Sequence, residues 1–348
     1  MKKKIAIIGH FADGKDFFDG QTVSTRLLRD ELEKSGKFKK VCVIDTYNYK
    51  KRFVSIFFSW FISLFSCSYV ILMLSGDGLK KFCPMIYYAN KIFKRKVFHR
   101  VIGGELDTYL LRNKECVRYM NSFEVNWVQS NSLVKKLNEL GINNAEFLEN
   151  FRNITPIVLS DETMKFERPF KFCTFSRVSE AKGIGLAIEA VSKVNSILGE
   201  GTALLHVYGP VEDKYLEAFH NLLEKHSDCV TYMGSVPSNK AVDTLKDYYM
   251  HLFPTTWSGE GFPGTLIDCY NAALPTIASD WAYNSEYIEN GETGFLYNWQ
   301  NPEMLTELII ESINNSDKMT YMKQRCLDEA KKYKSDVVME KIIKRIIE

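Results

Sequence analysis

The chain has 348 residues. At about 150 residues per domain that length suggests two domains and excludes a single small module. Charged residues are 25% and the hydrophobic set 45%, near the averages for globular proteins, which excludes a disordered chain and a coiled coil. The formal net charge of +2 argues against bulk phosphate neutralisation of a nucleic acid, so any positive field is local.

Met1-Lys2-Lys3-Lys4 leads into Ile5-Ala6-Ile7-Ile8-Gly9, a run too short for a signal h-region and suited to a first buried strand, so no export signal is expected. Buried-strand runs then alternate with helical patterns: Thr22 to Ser35, Val41 to Ile44, Phe53 to Ser66, Tyr69 to Leu74, Lys81 to Phe93 and Val97 to Ile102. Val125 to Gln129, a helix from Ser132 to Leu140 and Ala145 to Leu148 extend the series. Such alternation is the signature of βαβ units and a parallel sheet. The polar stretch from Ile154 to Pro169 lacks periodicity and reads as an interdomain linker.

A second series follows with strands Phe172 to Ser176, Ala203 to Tyr208, Val230 to Met233, Tyr249 to Pro254 and Thr276 to Ser279. Its helices run from Gly185 to Ser196, Asp213 to Lys225, Asn239 to Asp247, Gly264 to Ala273 and Asn301 to Asn314, and Asp336 to Ile347 ends the chain. Two Rossmann-like halves are the simplest account, with chemistry expected in loops beyond the carboxyl ends of the strands. The eight cysteines form no C-x-x-C pair and read as buried free thiols of a cytosolic protein.

Phe53, Ile56, Phe57, Trp60, Phe61, Leu64 and Phe65 recur at amphipathic helical spacing, with Ser55, Ser59 and Ser63 on the other face. The run falls short of the ~20 residues that span a bilayer. Two readings stand: a core helix, or an interfacial helix beside Lys50, Lys51, Arg52, Lys91, Lys94, Arg95 and Lys96 that suits anionic lipid.

The most informative segment runs from Pro254 to Asp268, Pro-Thr-Thr-Trp-Ser-Gly-Glu-Gly-Phe-Pro-Gly-Thr-Leu-Ile-Asp. A strand ends, a glycine-rich loop follows, and Pro263 stands where a proline opens a helix, so free NH groups and the positive helix end form an anion cradle. Glu260 and Asp268, eight positions apart, either flank the cradled group or serve as capping and surface acids. Another strand-loop, Cys173 to Gly183, delivers Arg177 and Lys182. Arg offers a planar fork and Lys a point charge, a pair suited to a diphosphate; the alternative is two solvated surface cations. No D-x-D pair, compact His/Cys cluster or Gly-x-Ser-x-Gly occurs, so no metal site, cofactor or serine hydrolase is expected. Asp45 follows the second strand, but the first loop lacks G-x-G-x-x-G, which weakens a nicotinamide reading.

Taken in order, Phe175-Ser176-Arg177, Lys182-Gly183, His206 to Pro210, Met233 to Val236, Gly259 to Asp268, Leu274 to Ala278 and Asn290 to Leu296 resemble the retaining glycosyltransferases of family four. The resemblance covers nearly the whole chain and is strongest from Phe172 to Tyr297. It implies an α/β chain of GT-B fold, two facing Rossmann-like domains with parallel sheets and a cleft between them. Residues 1-160 would form the acceptor-side domain and 168-328 the nucleotide-sugar domain, with a C-terminal helix 335-348 packing back on the first.

The resemblance further implies that Arg177 and Lys182 bind the donor diphosphate and Glu260 the donor sugar hydroxyls. Gly209, Val236, Gly261, Phe262, Pro263, Gly264 and Thr265 would line the donor, with loop amides on phosphate and sugar, and Asp268 would meet the ribose. Two departures stand out. The second acid is Asp268 where the family usually has Glu, and Gly103-Gly104-Glu105 stands at the loop where many members have a histidine; His99 lies within its strand and reads as structural. Gly20, Gln21 and Thr22 after Asp19 resemble the family's acceptor loop, or form a simple helix cap.

The activity implied is metal-independent, retaining transfer from a nucleoside diphosphate sugar, foremost a UDP-sugar, to a glycan or lipid-linked glycan acceptor. It would occur in the cytoplasm at the inner membrane face, with peripheral membrane contact and no nucleic acid. A nucleotide-sugar epimerase of the same fold, which would need an acid and a base on both faces of the sugar, and a non-catalytic nucleotide-sugar-binding subunit are the alternatives.

Overall fold

The computed structural model describes residues 2–15, 19–160, 164 and 166–348, the side chain of Asp77 aside. The chain divides into two compact units, unit 1 with residues 1–153, 259–262 and 333–348 and unit 2 with 154–258 and 263–332. Each is a Rossmann-like α/β domain built on a parallel sheet.

Unit 1 begins with β1 (Lys4–Gly9), α1 (Gly20–Lys34), β2 (Lys40–Asp45), α2 (Tyr49–Ser66), β3 (Tyr69–Met73), α3 (Asp77–Phe93) and β4 (Lys96–Arg100). It continues with α4 (Leu106–Arg112), α5 (Glu115–Met120), β5 (Val125–Val128), α6 (Asn131–Glu139) and β6 (Ala145–Phe147). Its six strands pair in the order β2-β1-β3-β4-β5-β6, all parallel. Ile5 to Ile8 and Val70 to Met73 are buried, as strands covered on both faces must be, which explains their unbroken apolar runs. The order reverses between β1 and β3, so the loops after those two strands part and leave a crevice.

Unit 2 holds β7 (Phe170–Phe175), α7 (Ile184–Leu198), β8 (Ala203–Tyr208), α8 (Leu216–Lys225), β9 (Val230–Gly234), α9 (Ala241–Leu245) and β10 (Met250–Phe253). After these come α10 (Gly264–Asn271), β11 (Thr276–Ser279), β12 (Gly294–Tyr297), α11 (Glu303–Asn314) and α12 (Asp317–Ala330). The sheet runs β12-β11-β10-β7-β8-β9, again parallel. This is the six-stranded doubly wound order, with its reversal between β7 and β10. The last helix, α13 (Ser335–Ile347), belongs to unit 1. Its Val338, Met339, Ile342 and Ile346 share a core with Ile5, Ile7, Leu28 and Leu32.

Several elements depart from expectation. The short α4 and α5, strand β12 and helix α12 have no counterpart in the sequence reading, and the helices at 213–225 and 239–247 each open with a 3₁₀ turn. The proposed linker is partly docked. Ile154 and Ile157 pack against the cluster of Cys173, Leu245 and Cys269, and Ile157 N donates to Asn271 O at 2.9 Å. Residues 161–163 and 165 of that stretch, and 16–18 of the first loop, lie outside the described residues.

Helix α2 corrects the core-helix pattern. Of its seven spaced apolar residues only Ile56, Trp60 and Leu64 are buried; Phe53, Phe57, Phe61 and Phe65 are exposed. Ser63, expected on the polar face, is buried and donates to Trp60 O at 2.6 Å. All eight cysteines are free thiols, seven buried and Cys42 partly so. Among the described residues no helix is long and apolar enough to cross a membrane.

A buried cation marks the packing of α12. Lys323 Nζ donates to Ala273 O at 3.2 Å and Tyr248 O at 3.4 Å. Burial lowers its pKa from 10.5 to about 8, because the water that the charged form loses outweighs the opposing charges of Cys326 and Asp247. Between those two pH values the unfolded chain binds a proton that the folded chain does not, so stability rises with pH. Relative to Lys323→Met, the wild type should gain at most about 3 kcal/mol from pH 8 to pH 10.5, read by denaturant unfolding. Parallel pH profiles for the two proteins would contradict this.

Candidate functional site

In unit 2 the loops after adjacent strands are sewn together backbone to backbone. Ser176 N donates to Tyr208 O at 3.2 Å, Val178 N to Pro210 O at 2.9 Å, and Gly209 N to Gly234 O at 2.9 Å. Gly209 has φ +131°, and a Cβ there would overlap the Ser176 carbonyl, so the close approach requires glycine. Arg177 stands exposed on this loop. A 3₁₀ turn, Glu180–Lys182, then closes at Gly183, whose φ of +70° and contact with Pro254 O exclude a side chain.

Thr256 N donates to Ala181 O at 2.8 Å, and Lys182 Nζ lies 4.4 Å from the Trp257 ring centre and 5.6 Å from that of Phe253. The loops on the two sides of the β7/β10 switch point are thereby tied together, with a lysine over an aromatic face.

Helix α10 starts beside them. Pro263 is its N-cap, with φ −64° and ψ 126°, rather than its first helical residue, and no side chain caps the turn. The absence of a capping side chain leaves the first amides of α10 to another acceptor. Thr265 Oγ1 donates to Phe175 O at 3.0 Å, which fixes the start of α10 to the end of β7. Val236 packs against the cluster that contains Tyr208 and Tyr248. The carboxyl edge of this sheet thus gathers Arg177, Lys182, Gly209, Val236, Pro263, Gly264 and Thr265. Asp268 is the fifth of the eight residues of α10 and 4% exposed.

In unit 1 the segment 259–262 carries Glu260, 4% exposed. Gly104 N donates to Gly259 O at 3.2 Å, Phe262 N to Gln129 Oε1 at 3.4 Å, and Asn150 Nδ2 to Phe262 O at 3.2 Å. A Cβ at Gly261 would stand 3.0 Å from both Gln129 Oε1 and the Gly103 carbonyl carbon. Gly103 and Gly104 are therefore joined to the Glu260 segment, while Glu105 is exposed at the start of α4.

Behind Asn150 lies Arg100, fully buried. Its Nη1 donates to Ser24 Oγ at 2.9 Å and its Nη2 to Asn150 Oδ1 at 3.3 Å. Its guanidinium sits 4.8 Å from the Phe151 ring centre. Burial, then the charge of Arg152, lowers its pKa to about 9. Gln129, Asn150 and Arg100 were not singled out from the sequence; the available signal was polar side chains at the ends of apolar strands.

The start of α1 carries a side-chain cap. Asp19 Oδ1 accepts from Thr22 N at 2.9 Å and Asp19 Oδ2 from Thr22 Oγ1 at 2.7 Å. Gln21 Nε2 donates to Met73 O at 3.1 Å, and open space surrounds a Cβ at Gly20. Asp45 Oδ1 accepts from Phe11 N and Tyr47 N, both at 2.9 Å, as a turn former. His99 is buried between Asn126 Oδ1 at 3.0 Å and Leu74 O at 3.1 Å, and burial lowers its pKa. Among the described residues no group of three or more His, Cys, Asp or Glu could hold a metal ion.

Two doubly wound parallel domains are the architecture of the GT-B fold. Residues 169–315 match the family described as Glycosyl transferases group 1.

The GtfA subunit of a UDP-N-acetylglucosamine–peptide N-acetylglucosaminyltransferase from Streptococcus agalactiae is 29% identical over 137 residues, 39% of this chain and 26% of that protein. The amylovoran biosynthesis glycosyltransferase AmsK of Erwinia amylovora is 26% identical over 133 residues, 37% of this chain and 32% of its own. The chain thus spans about a quarter to a third of these relatives. Anabaena HepE, solved in complex with UDP-glucose, shares the fold with a TM-score of 0.77 at 13% identity over 99% of both chains.

The backbone contact at Gly209 is testable by itself. Gly209→Ala should lower stability by about 3 kcal/mol or more, since it adds both a strained φ and an overlap with the Ser176 carbonyl. Thermal unfolding measures this; an unchanged midpoint would show that the two loops do not touch in solution.

Proposed function

We propose that the protein is a metal-independent, retaining glycosyltransferase that moves a sugar from a UDP-sugar to a hydroxyl of a glycan or lipid-linked glycan. The observation that carries this is the placement of Arg177 and Lys182 on the loop after β7, and of an α10 start without a side-chain cap after β10, at the carboxyl edge on the two sides of the β7/β10 switch point. A diphosphate needs a bidentate fork, a point charge and helix-end amides, which Arg177, Lys182 and the start of α10 would supply. The UDP-glucose complex of HepE supports UDP as the base-bearing group. The part of AmsK in amylovoran biosynthesis supports a glycan acceptor.

As the glycosidic bond breaks, negative charge grows on the departing diphosphate. Fixed cations and helix-end amides stabilise it without reorganising, which is the contribution a metal makes elsewhere. Glu260 accepts hydrogen bonds from the donor sugar hydroxyls and holds the reacting carbon so that the acceptor attacks from the leaving-group face. Asp268 is assigned to the ribose, and Gly103 and Gly104 to the acceptor side, where their bond to the Glu260 segment supports the placement. The free buried thiols support a reducing compartment, and a lipid-linked acceptor would put the work at the inner face of the membrane.

Turnover of UDP-sugars should survive excess EDTA. Glu260→Gln should lower kcat by more than it weakens binding of UDP, which lacks the sugar. Loss of turnover on chelation, restored by Mg²⁺, would overturn the metal-independent account. Equal losses of turnover and UDP affinity would move Glu260 to the nucleotide. Tight binding without any turnover over a panel of acceptors would favour a binding subunit.

A further inference from the structure

From Thr46 to Gly104 the chain carries ten Lys and Arg and a single acid, Asp77. That segment spans α2, β3, α3 and β4. On α2, Phe53, Val54, Phe57, Phe58, Phe61, Ile62 and Phe65 are all exposed, at spacings of one and four that make a continuous stripe along one side of the helix. Phe58, Ile62 and Phe65 are 57%, 64% and 64% exposed. The stripe continues onto α3. Phe93 meets Phe65 and Phe61 with ring centres 4.9 and 6.0 Å apart, and Ile92 beyond them is 79% exposed. Arg95 Nε donates to Leu64 O at 2.8 Å and fixes the two helices to each other.

Soluble chains rarely leave so large an apolar face uncovered. Exposed Lys50, Lys51 and Arg52 stand at the start of α2, and exposed Lys91 and Lys94 at the end of α3, so cations border the apolar face at both ends. We propose that this face of unit 1 docks on an anionic lipid bilayer, its aromatic and aliphatic side chains entering the headgroup boundary and its cations pairing with lipid phosphates. A second copy of the chain fits less well: a two-fold interface sets the patch against itself and brings basic end against basic end. The proposal stands on the shape and charge of unit 1, and does not need the donor chemistry assigned to unit 2.

The test is co-sedimentation of the full chain, without donor or acceptor, with vesicles of phosphatidylcholine alone or mixed with phosphatidylglycerol. Wild type should bind the mixed vesicles at low salt and lose them at high salt. Replacing Phe58, Ile62 and Phe65 together by Ser should weaken binding on the order of a hundredfold or more. Replacing Lys50, Lys51 and Lys91 together by Gln should do so by about fivefold per charge.

All six positions are exposed, so unchanged circular dichroism should accompany the loss. Absence of wild-type binding to the anionic vesicles would overturn the proposal, as would equal binding to both vesicles that neither variant disturbs. A wild-type dimer in sedimentation equilibrium that the Ser variant dissociates, without vesicle binding, would also overturn it and make the face a self-association surface. Failure here leaves UDP binding untouched, and failure of UDP binding leaves vesicle binding intact.

Discussion

Backbone meets backbone at the carboxyl ends of β7, β8 and β10, and this contact governs what the second unit offers to a ligand. Gly209 lies against the Ser176 carbonyl and Gly183 against the Pro254 carbonyl, each at positive φ and with no room for a Cβ. Those two approaches shape the loop after β7 that carries both Arg177 and Lys182, on one side of the place where the strand order reverses. Thr265 pins α10 to the same edge. A cation pair on long side chains loses less freedom on binding when close backbone contacts restrict the loop beneath it.

Both units hold a buried cation without a buried carboxylate as partner. Lys323 is met by two carbonyls, and Arg100 by a serine, an asparagine and an aromatic face. In each case burial lowers the pKa, a cost to stability that packing elsewhere must offset. Arg100 stands behind Asn150, which grips the Phe262 carbonyl, so this expenditure supports the segment that carries Glu260. The same segment is held by Gln129 and Gly104, so its shape follows from polar groups at the ends of the strands rather than from its own sequence.

Much of this was legible in the sequence because parallel strands announce themselves. Ile5 to Ile8 and Tyr69 to Leu74 are too apolar for anything but a sheet covered on both faces, and Ala203–Tyr208 and Thr276–Ser279 were read with their bounds. The doubly wound order then points to the loops after β7 and β10 as the candidate site. Helices α4 and α5, of seven and six residues, are too short to show a period, and β12 has four residues.

On α2 the period was visible but the direction was not. Apolar residues line both sides of the helix, and only the packing of Ile56, Trp60 and Leu64 selects the inner one. Residues Arg100, Gln129 and Asn150 escaped because a polar side chain at a strand end is ordinary until the segment it holds is known. For Asp19 to Thr22 the cap is explicit in the hydrogen bonds of Asp19 to Thr22.

The central claim is that the β7/β10 switch point of unit 2 holds a nucleoside diphosphate by protein cations alone. Titration calorimetry of UDP in excess EDTA, with wild type, Arg177→Ala and Lys182→Ala, tests it most directly. Wild type should bind one UDP saturably, and each variant should lose about 1.5 to 3 kcal/mol of affinity, the worth of a hydrogen bond to a charged group. Unchanged affinity in both variants, or wild-type binding that appears only when a divalent metal is restored, would contradict it.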